Sequence, residues 1–296
     1  MSHVFAAPNE PANRAGDLLR RAARRGGFCW RFIGTAISFA VFGLGALVLS
    51  VTILPLLRML PAARCQRLSR MGLQRGMRAF VGLMHRLGVL TYDFQGAARL
   101  GKPGQLIVAN HPSLIDVVFL IAFAPQANCV VKHALFRNPL TRSVVTATGY
   151  ISNELTAGMI EGATAALEQG QCLIMFPEGT RTSAGQPLAF HRGAANVAVR
   201  AAASVTPVYI RCEPLTLTKA DPWYRIPPHR PHFTLATGED FDLGAVRAMK
   251  SIPLASRAFN EQMRDNFQGE LQRADGYTDH GCGDDPGAEP AAIRPS

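Results

Sequence analysis

The chain has 296 residues, a formal net charge of +10 and 48% hydrophobic residues. That length suits one large α/β domain with a small appendage, and the apolar share excludes a chain disordered throughout. The basic residues are overwhelmingly arginine, many of them in the first eighty positions, so the charge faces either an anionic membrane surface or a nucleic acid.

Residues 1 to about 13 are rich in Pro, Ala and Asn without periodicity and are expected to be disordered. The flexible basic N-terminus is predicted to extend to residue 27 and contains Arg20-Arg21-Ala22-Ala23-Arg24-Arg25. Residues 28–90 are predicted to associate with a membrane. From Phe32 to Leu57 no charged residue stands, a run long enough to cross a hydrocarbon core of roughly 30 Å. Trp30, Arg31 and Arg58 suit its interfaces. The run decides for a membrane and against nucleic acid, and it is too long and too far from the start for a usual signal peptide. Arginines flank it equally, so the positive-inside rule does not orient it. A hairpin dipping into one leaflet, bent near Pro55 and Pro61, puts both basic clusters on one face. From Ala62 to Leu90 the apolar residues Leu68, Met71, Leu73, Met77, Phe80, Val81, Met84 and Leu87 recur among arginines. This pattern predicts an interfacial helix with its basic face on lipid phosphates.

Residues 91–274 are predicted to form the main domain. Strand candidates are Tyr92 to Gln95, Leu106 to Ala109, Cys129 to Val131, Cys172 to Phe176, Val205 to Arg211 and Phe233 to Ala236. Helical stretches lie near 112–123, 134–146, 156–169, 191–203 and 253–272. The alternation predicts an α/β fold, a mostly parallel twisted sheet flanked by helices. Residues 275–296, with Gly281, Gly283, Pro286 and Pro290, are expected to be a disordered tail. The cysteines show no Cys-x-x-Cys pairing, and Cys129 and Cys172 read as reduced core residues. This places the main domain in the cytoplasm, at the inner face of the membrane.

The chemistry concentrates in Asn110-His111-Pro112-Ser113-Leu114-Ile115-Asp116, which follows a buried strand and leads into an apolar helix. Pro112 fits the first helical position, and the residue before a proline is pushed out of the α region, so His111 falls in the turn. Asp116, one turn into the helix, then leans its carboxylate back toward the imidazole. A His backed by a carboxylate is the arrangement of a general base. The alternative is a capping turn with a surface histidine. Sixty-five positions after His111 comes Phe176-Pro177-Glu178-Gly179-Thr180-Arg181-Thr182. It also follows a strand, and the C-terminal ends of parallel strands share one edge, where α/β sites form. There Gly179 admits close backbone approach to a ligand, Arg181 offers a planar fork for a phosphate, and Glu178 either holds a hydroxyl or orients the loop. Lys132 follows its own strand at the same edge.

Asn110-His111 with Asp116, followed by Phe176 to Thr182, resembles the glycerolipid acyltransferase superfamily, which includes the 1-acylglycerol-3-phosphate acyltransferases. Val131 to Pro139 and Val205 to Tyr209 match two further blocks of it more loosely, in the right order. The resemblance covers roughly residues 90 to 215. It implies that His111, supported by Asp116, removes the proton from the hydroxyl of a membrane lipid acceptor. The acyl group comes from acyl-CoA or acyl carrier protein, and no metal or cofactor is needed. It implies that Glu178, Gly179 and Arg181 bind the acceptor's glycerol-phosphate portion; Thr180 is counted with them as substrate-binding, and Lys132 adds positive potential at the same edge. One departure stands out: the stretch Gly149 to Glu154 carries no arginine where the family often has one, leaving Asn153 to hydrogen-bond a different head group. The alternatives are acyl transfer to a specialised acceptor, or a metal-dependent hydrolase built on His111, Asp116, Glu178 and His191. The loop with Trp223, Tyr224 and Ile226-Pro227-Pro228 is a candidate mouth for an acyl chain.

Overall fold

The computed structural model describes residues 14–154, 156–182, 187–219 and 221–279. The expected disorder of residues 1–13 and 280–296 lies outside them. Helix α1 (Arg14–Val48) passes through a π-helical turn, Leu49–Ile53, into the short α2 (Leu54–Leu57). Pro55 explains the wide turn: its missing N–H removes a helical hydrogen bond, and Leu54 N–H reaches back to Leu49 O instead. The helix begins at Arg14, so residues 14–27 are not the flexible arm that the sequence suggests. Their Ala, Leu and Arg content favours helix. After the break at Arg58–Pro61, α3 (Ala62–Arg86) folds back.

The remaining elements are β1 (Thr91–Gln95), β2 (Gln105–Ala109), α4 (Asp116–Phe123), β3 (Asn128–Val131), α5 (Ala134–Arg137), α6 (Pro139–Thr148) and β4 (Ile151–Ser152). Then come α7 (Thr156–Glu168), β5 (Leu173–Met175), α8 (Gly193–Ala201), β6 (Ser204–Glu213), β7 (His232–Thr237), α9 (Gly244–Arg247) and α10 (Ile252–Asp279). Helix α10 runs five residues into the stretch expected to be tail. The strands form one seven-stranded sheet in the order β1-β7-β6-β2-β5-β3-β4. Strands β6, β2, β5, β3 and β4 run parallel; β7 is antiparallel to β6, and β1 is parallel to β7. The short β4 escapes sequence reading because two residues carry no period.

Alternation along the strands builds two cores. Ile107, Ala109, Ile174, Val208 and Ile210 pack with α3 and α4 on one face. Leu106, Val108, Leu173, Met175 and Val205 pack with α7, α8 and α10 on the other. Strand β2 lies at the centre with all five residues buried, as a strand covered on both faces must be.

The membrane-type helix lies along this sandwich. Trp30 Nε1 donates to Leu87 O at 2.8 Å and Arg31 Nη2 to Pro228 O at 2.5 Å. Toward its other end Ser50 Oγ donates to Leu140 O at 2.9 Å, and Leu54 packs with Cys65 and Ala147. Contacts at Arg31 and Ser50 tie down roughly 28 Å of helix axis. The candidate span Gly26–Leu57 has a mean hydropathy of 2.4, yet only 17% of its most apolar window is buried, so it is no core helix. Phe28, Ile33, Ile37, Val41, Leu44, Leu47 and Val51 are exposed. On α3, Arg64, Arg67, Arg75, Arg78 and Arg86 are exposed. Arg70 departs from the expected basic face: it is buried, and its Nε donates to Thr148 O at 2.7 Å. That carbonyl ends α6, where a cation complements the helix dipole. Gly149 closes the same helix with φ 67°, the left-handed cap that glycine adopts without strain.

Candidate active site

The C-terminal ends of β2 and β5, adjacent in the sheet, bring the two motifs together. Asn110 is buried, its Nδ2 donating to Ile210 O and its Oδ1 accepting from Ile210 N, both at 2.8 Å. This pins the end of β2 to β6 and fixes where the chain turns. Pro112 is not the first helical residue. Residues 112–115 form a turn, and Asp116 itself opens α4. Proximity therefore comes from a tight Ser113–Ile115 turn, and the carboxylate reaches back over it. Ser113 Oγ donates to Thr216 O at 2.9 Å and Leu114 N to Leu217 O at 3.2 Å, anchoring the turn to the segment after β6.

His111 Nδ1 lies 2.9 Å from Asp116 Oδ2, and the same oxygen accepts from Ser113 N at 2.6 Å. The Asp116 side chain is fully buried and that of His111 is 16% exposed. Burial pushes the Asp116 carboxyl above its ordinary value, against the pull of the His111 and Ser113 hydrogen bonds. An ionised carboxylate without water needs such donors, and its second oxygen, Oδ1, has none among the described residues. With Nδ1 committed to Asp116, Nε2 is the ring nitrogen left for a reacting group. Phe176, the residue after β5, stacks on the imidazole with ring centroids 4.3 Å apart.

The second motif locks the first. Glu178 Oε1 accepts from His111 N and from Thr182 Oγ1, each at 2.9 Å, and Thr182 N donates to His111 O at 2.7 Å. Through Oε1 the Glu178 side chain ties this loop to the His111 turn. Burial raises its carboxyl above the ordinary value, opposed by the His111 N–H and the Thr182 hydroxyl. Gly179 has φ 64°. The backbone therefore favours glycine, and a Cβ added there would lie 3.1 Å from His191 Cδ2. Arg181 turns toward the loop after β6, its Nη1 donating to Leu217 O at 2.8 Å and Thr218 O at 2.7 Å. The Thr180 hydroxyl is buried and has no hydrogen-bond partner among the described residues.

Lys132 is exposed at the end of β3, on the same rim but bonded to none of these groups. Asn153 Oδ1 accepts from His133 N at 3.0 Å, and Asn153 N donates to Val131 O at 3.0 Å. Cys129 and Cys172 are free and buried, and burial pushes both thiols up to about 12, so neither is a nucleophile at neutral pH. Among the described residues no three His, Cys, Asp or Glu side chains converge as a metal-holding group.

Beside this rim lies an apolar cavity between α1, α3 and the β6–β7 connection. Phe39, Met84, Leu90, Ile115, Leu217 and Trp223 line it. Ile115 belongs to the His111–Asp116 turn, so the cavity adjoins the site. Trp223 is exposed, as are Leu114, Leu215 and Tyr224, which adjoin the lining residues Ile115, Thr216 and Trp223 in sequence.

Residues 92–211 match the family model described as Acyltransferase. The 1-acyl-sn-glycerol-3-phosphate acyltransferase of Helicobacter pylori is 31% identical over 113 residues, 36% of this chain and 48% of that protein. The enzyme of the same description from Borreliella burgdorferi is 27% identical over 139 residues, 45% of this chain and 56% of that one. The chain thus spans about half the length of these curated relatives. The crystal structure of the 1-acyl-sn-glycerophosphate acyltransferase PlsC from Thermotoga maritima superposes with a TM-score of 0.63 at 17% identity, covering 85% of this chain and 97% of that one. At that identity the likeness concerns the fold, and it extends beyond the stretch matched in sequence.

Proposed function

We propose that this chain, whose residues 92–211 match the Acyltransferase family model, is a glycerolipid-type acyltransferase that transfers a fatty acyl group from a thioester to the hydroxyl of a lysophospholipid. We take the acceptor to be 1-acylglycerol 3-phosphate, which the names of the relatives support. The observation that carries the reading is the imidazole backed by a buried carboxylate, 2.9 Å apart, with no hydrogen bond to its other nitrogen among the described residues.

In this reading His111 Nε2 takes the proton of the acceptor hydroxyl as its oxygen attacks the thioester carbonyl of acyl-CoA or acyl carrier protein. The thiolate leaves, and the imidazolium returns a proton to it. Asp116 holds the Nδ1–H tautomer and balances the positive charge that forms on the ring. The Glu178 and Thr182 hydrogen bonds keep the His111 backbone where that geometry holds, since small displacements of a base cost rate steeply. Residues Gly179, Thr180 and Arg181, with Lys132 at the same rim, receive the acceptor's head.

The membrane supplies both chains. A helix tied to the domain near both ends of its apolar run cannot stand apart from it as a free transmembrane span. The exposed stripe of α1 therefore lies in one leaflet, with the exposed arginines of α3 at the phosphates. The cavity beside Ile115 and Trp223 then opens toward acyl chains, and the sandwich sits on the cytoplasmic face. Purified protein in lipid, given labelled acyl-CoA or acyl carrier protein and a panel of lysolipids, tests this by product mass. Diacylated phosphatidate is the expected product; hydrolysis of the thioester alone would overturn the reading.

A further inference from the structure

A phosphate on the acceptor needs a positive or N–H-donating partner beside the Gly179 turn, where the other expected groups are partly engaged or stand further along the rim. Arg181 Nη1 is held by the carbonyls of Leu217 and Thr218. Lys132 follows β3, one strand beyond β5 in the sheet. Asn153, where an arginine is often found in the family, caps the turn at His133.

The basic side chain lying against Gly179 is His191. A Cβ built on Gly179 would be 3.1 Å from its Cδ2 and 3.6 Å from its Nε2. His191 N donates to Pro177 O at 2.7 Å, so its backbone is fixed to the same loop. The residue is exposed, and its ring nitrogens have no polar partner among the described residues. Two imidazoles therefore flank one loop. His111 is bound to Glu178 through its backbone, and His191 covers the next residue. The charged neighbours in sequence are Glu178, already hydrogen-bonded, Arg181 and the exposed Arg192.

We propose that His191 is an acceptor-binding residue whose ring N–H holds the phosphate of the lysolipid over the Gly179–Thr180 turn, and so sets the preference for phosphorylated over unphosphorylated acceptors. The inference rests on the acyl-transfer reading above and deepens it. An imidazole donates an N–H in either neutral tautomer and two when protonated, and a bond from it to a phosphate oxygen is charge-assisted. Specificity then appears as a difference between two acceptors rather than as overall rate.

Steady-state kinetics of the full chain in lipid, with 1-acylglycerol 3-phosphate and with monoacylglycerol as acceptors, test it. In His191→Ala the KM for the phosphorylated acceptor rises about tenfold, the scale of one such bond. Its kcat, and kcat/KM for monoacylglycerol, hold within about twofold. His191→Lys keeps the preference. An unchanged preference in His191→Ala, or an equal loss on both acceptors, overturns the proposal. Where the alanine variant does not fold, the Gln and Lys variants decide: Gln must lose part of the preference that Lys keeps, and equal preferences overturn it. Equilibrium binding of 1-acylglycerol 3-phosphate to wild type and His191→Ala needs no turnover. It reads this subsite even if the wild type acylates neither acceptor, which would sink the acyl-transfer reading by itself.

Discussion

Two imidazole–carboxylate pairs follow parallel strands at the same rim of the sheet, and their distances are nearly equal. His111 Nδ1 is 2.9 Å from Asp116 Oδ2; His133 Nδ1 is 3.0 Å from Glu154 Oε2. Burial separates them. The first pair is 16% and 0% exposed, the second 33% and 55%. Asp116 is also fixed by the Ser113 N–H, whereas Ser152 Oγ competes for His133 Nδ1 at 3.2 Å. An exposed pair is screened by water and contributes little. A contact distance alone therefore does not make a base. What distinguishes the first pair is a carboxylate with no water to turn to and an imidazole held by its backbone on both sides.

The largest effect that tests this contrast is at His111. His111→Ala should lower kcat by about 10³-fold, within the range of a general base, measured as product formation in mixed micelles; a loss under tenfold would remove the basis for treating the pair as the catalytic one. Asp116→Asn comes next. The amide still offers an oxygen to Nδ1–H and Ser113 N–H but carries no charge to balance an imidazolium, and its NH₂ lands in the buried place where Oδ1 has no partner among the described residues. A fall in kcat of about 10²-fold with little change in acceptor KM is expected. A change confined to KM would assign Asp116 to binding instead.

The sequence made the two motifs visible because each follows a short apolar run, and parallel strands end on one edge. Periodicity also marked the sandwich, since central strands such as Leu106 to Ala109 are apolar throughout. It did not reveal how the motifs are joined. The Glu178 carboxylate meets a backbone N–H of residue 111, and a backbone donor leaves no trace in the residue types. The same holds for Asn153, whose capping bond to His133 N is invisible without the fold, and for Asn110, which bridges to β6 one hundred residues away. Pro112 misled because proline is as much at home in a turn as at the first helical position. Arg70 misled because an amphipathic pattern sorts residues by face but not by the carbonyl one of them finds.

A smaller effect concerns Glu178 and is read in stability. Burial raises its folded-state value above that of the unfolded chain. The folded protein then holds the proton more tightly, so stability is greatest below the unfolded value, near 4.5, and falls as pH rises through the folded one. Glu178→Gln keeps an oxygen for the His111 and Thr182 donors and has no charge to desolvate. Its thermal midpoint should gain on the wild type between pH 4 and pH 7, by about 2 °C. A gap that stays constant with pH, or reverses, would mean that the ionised carboxylate is itself stabilising the loop.

The smallest expected effect is at the exposed pair. In His133→Ala the backbone N–H that Asn153 caps is retained, so only a solvated ion pair and the 3.2 Å contact to Ser152 are removed. Acceptor kcat/KM should hold within about twofold and the thermal midpoint within about 2 °C, as the median exposed ion pair dictates. A tenfold loss of kcat in this variant would show that an exposed imidazole takes part in proton transfer, and burial would no longer separate the two pairs. A tenfold rise in KM alone would instead extend the acceptor's head group across β5 to β3, where Lys132 stands beside His133.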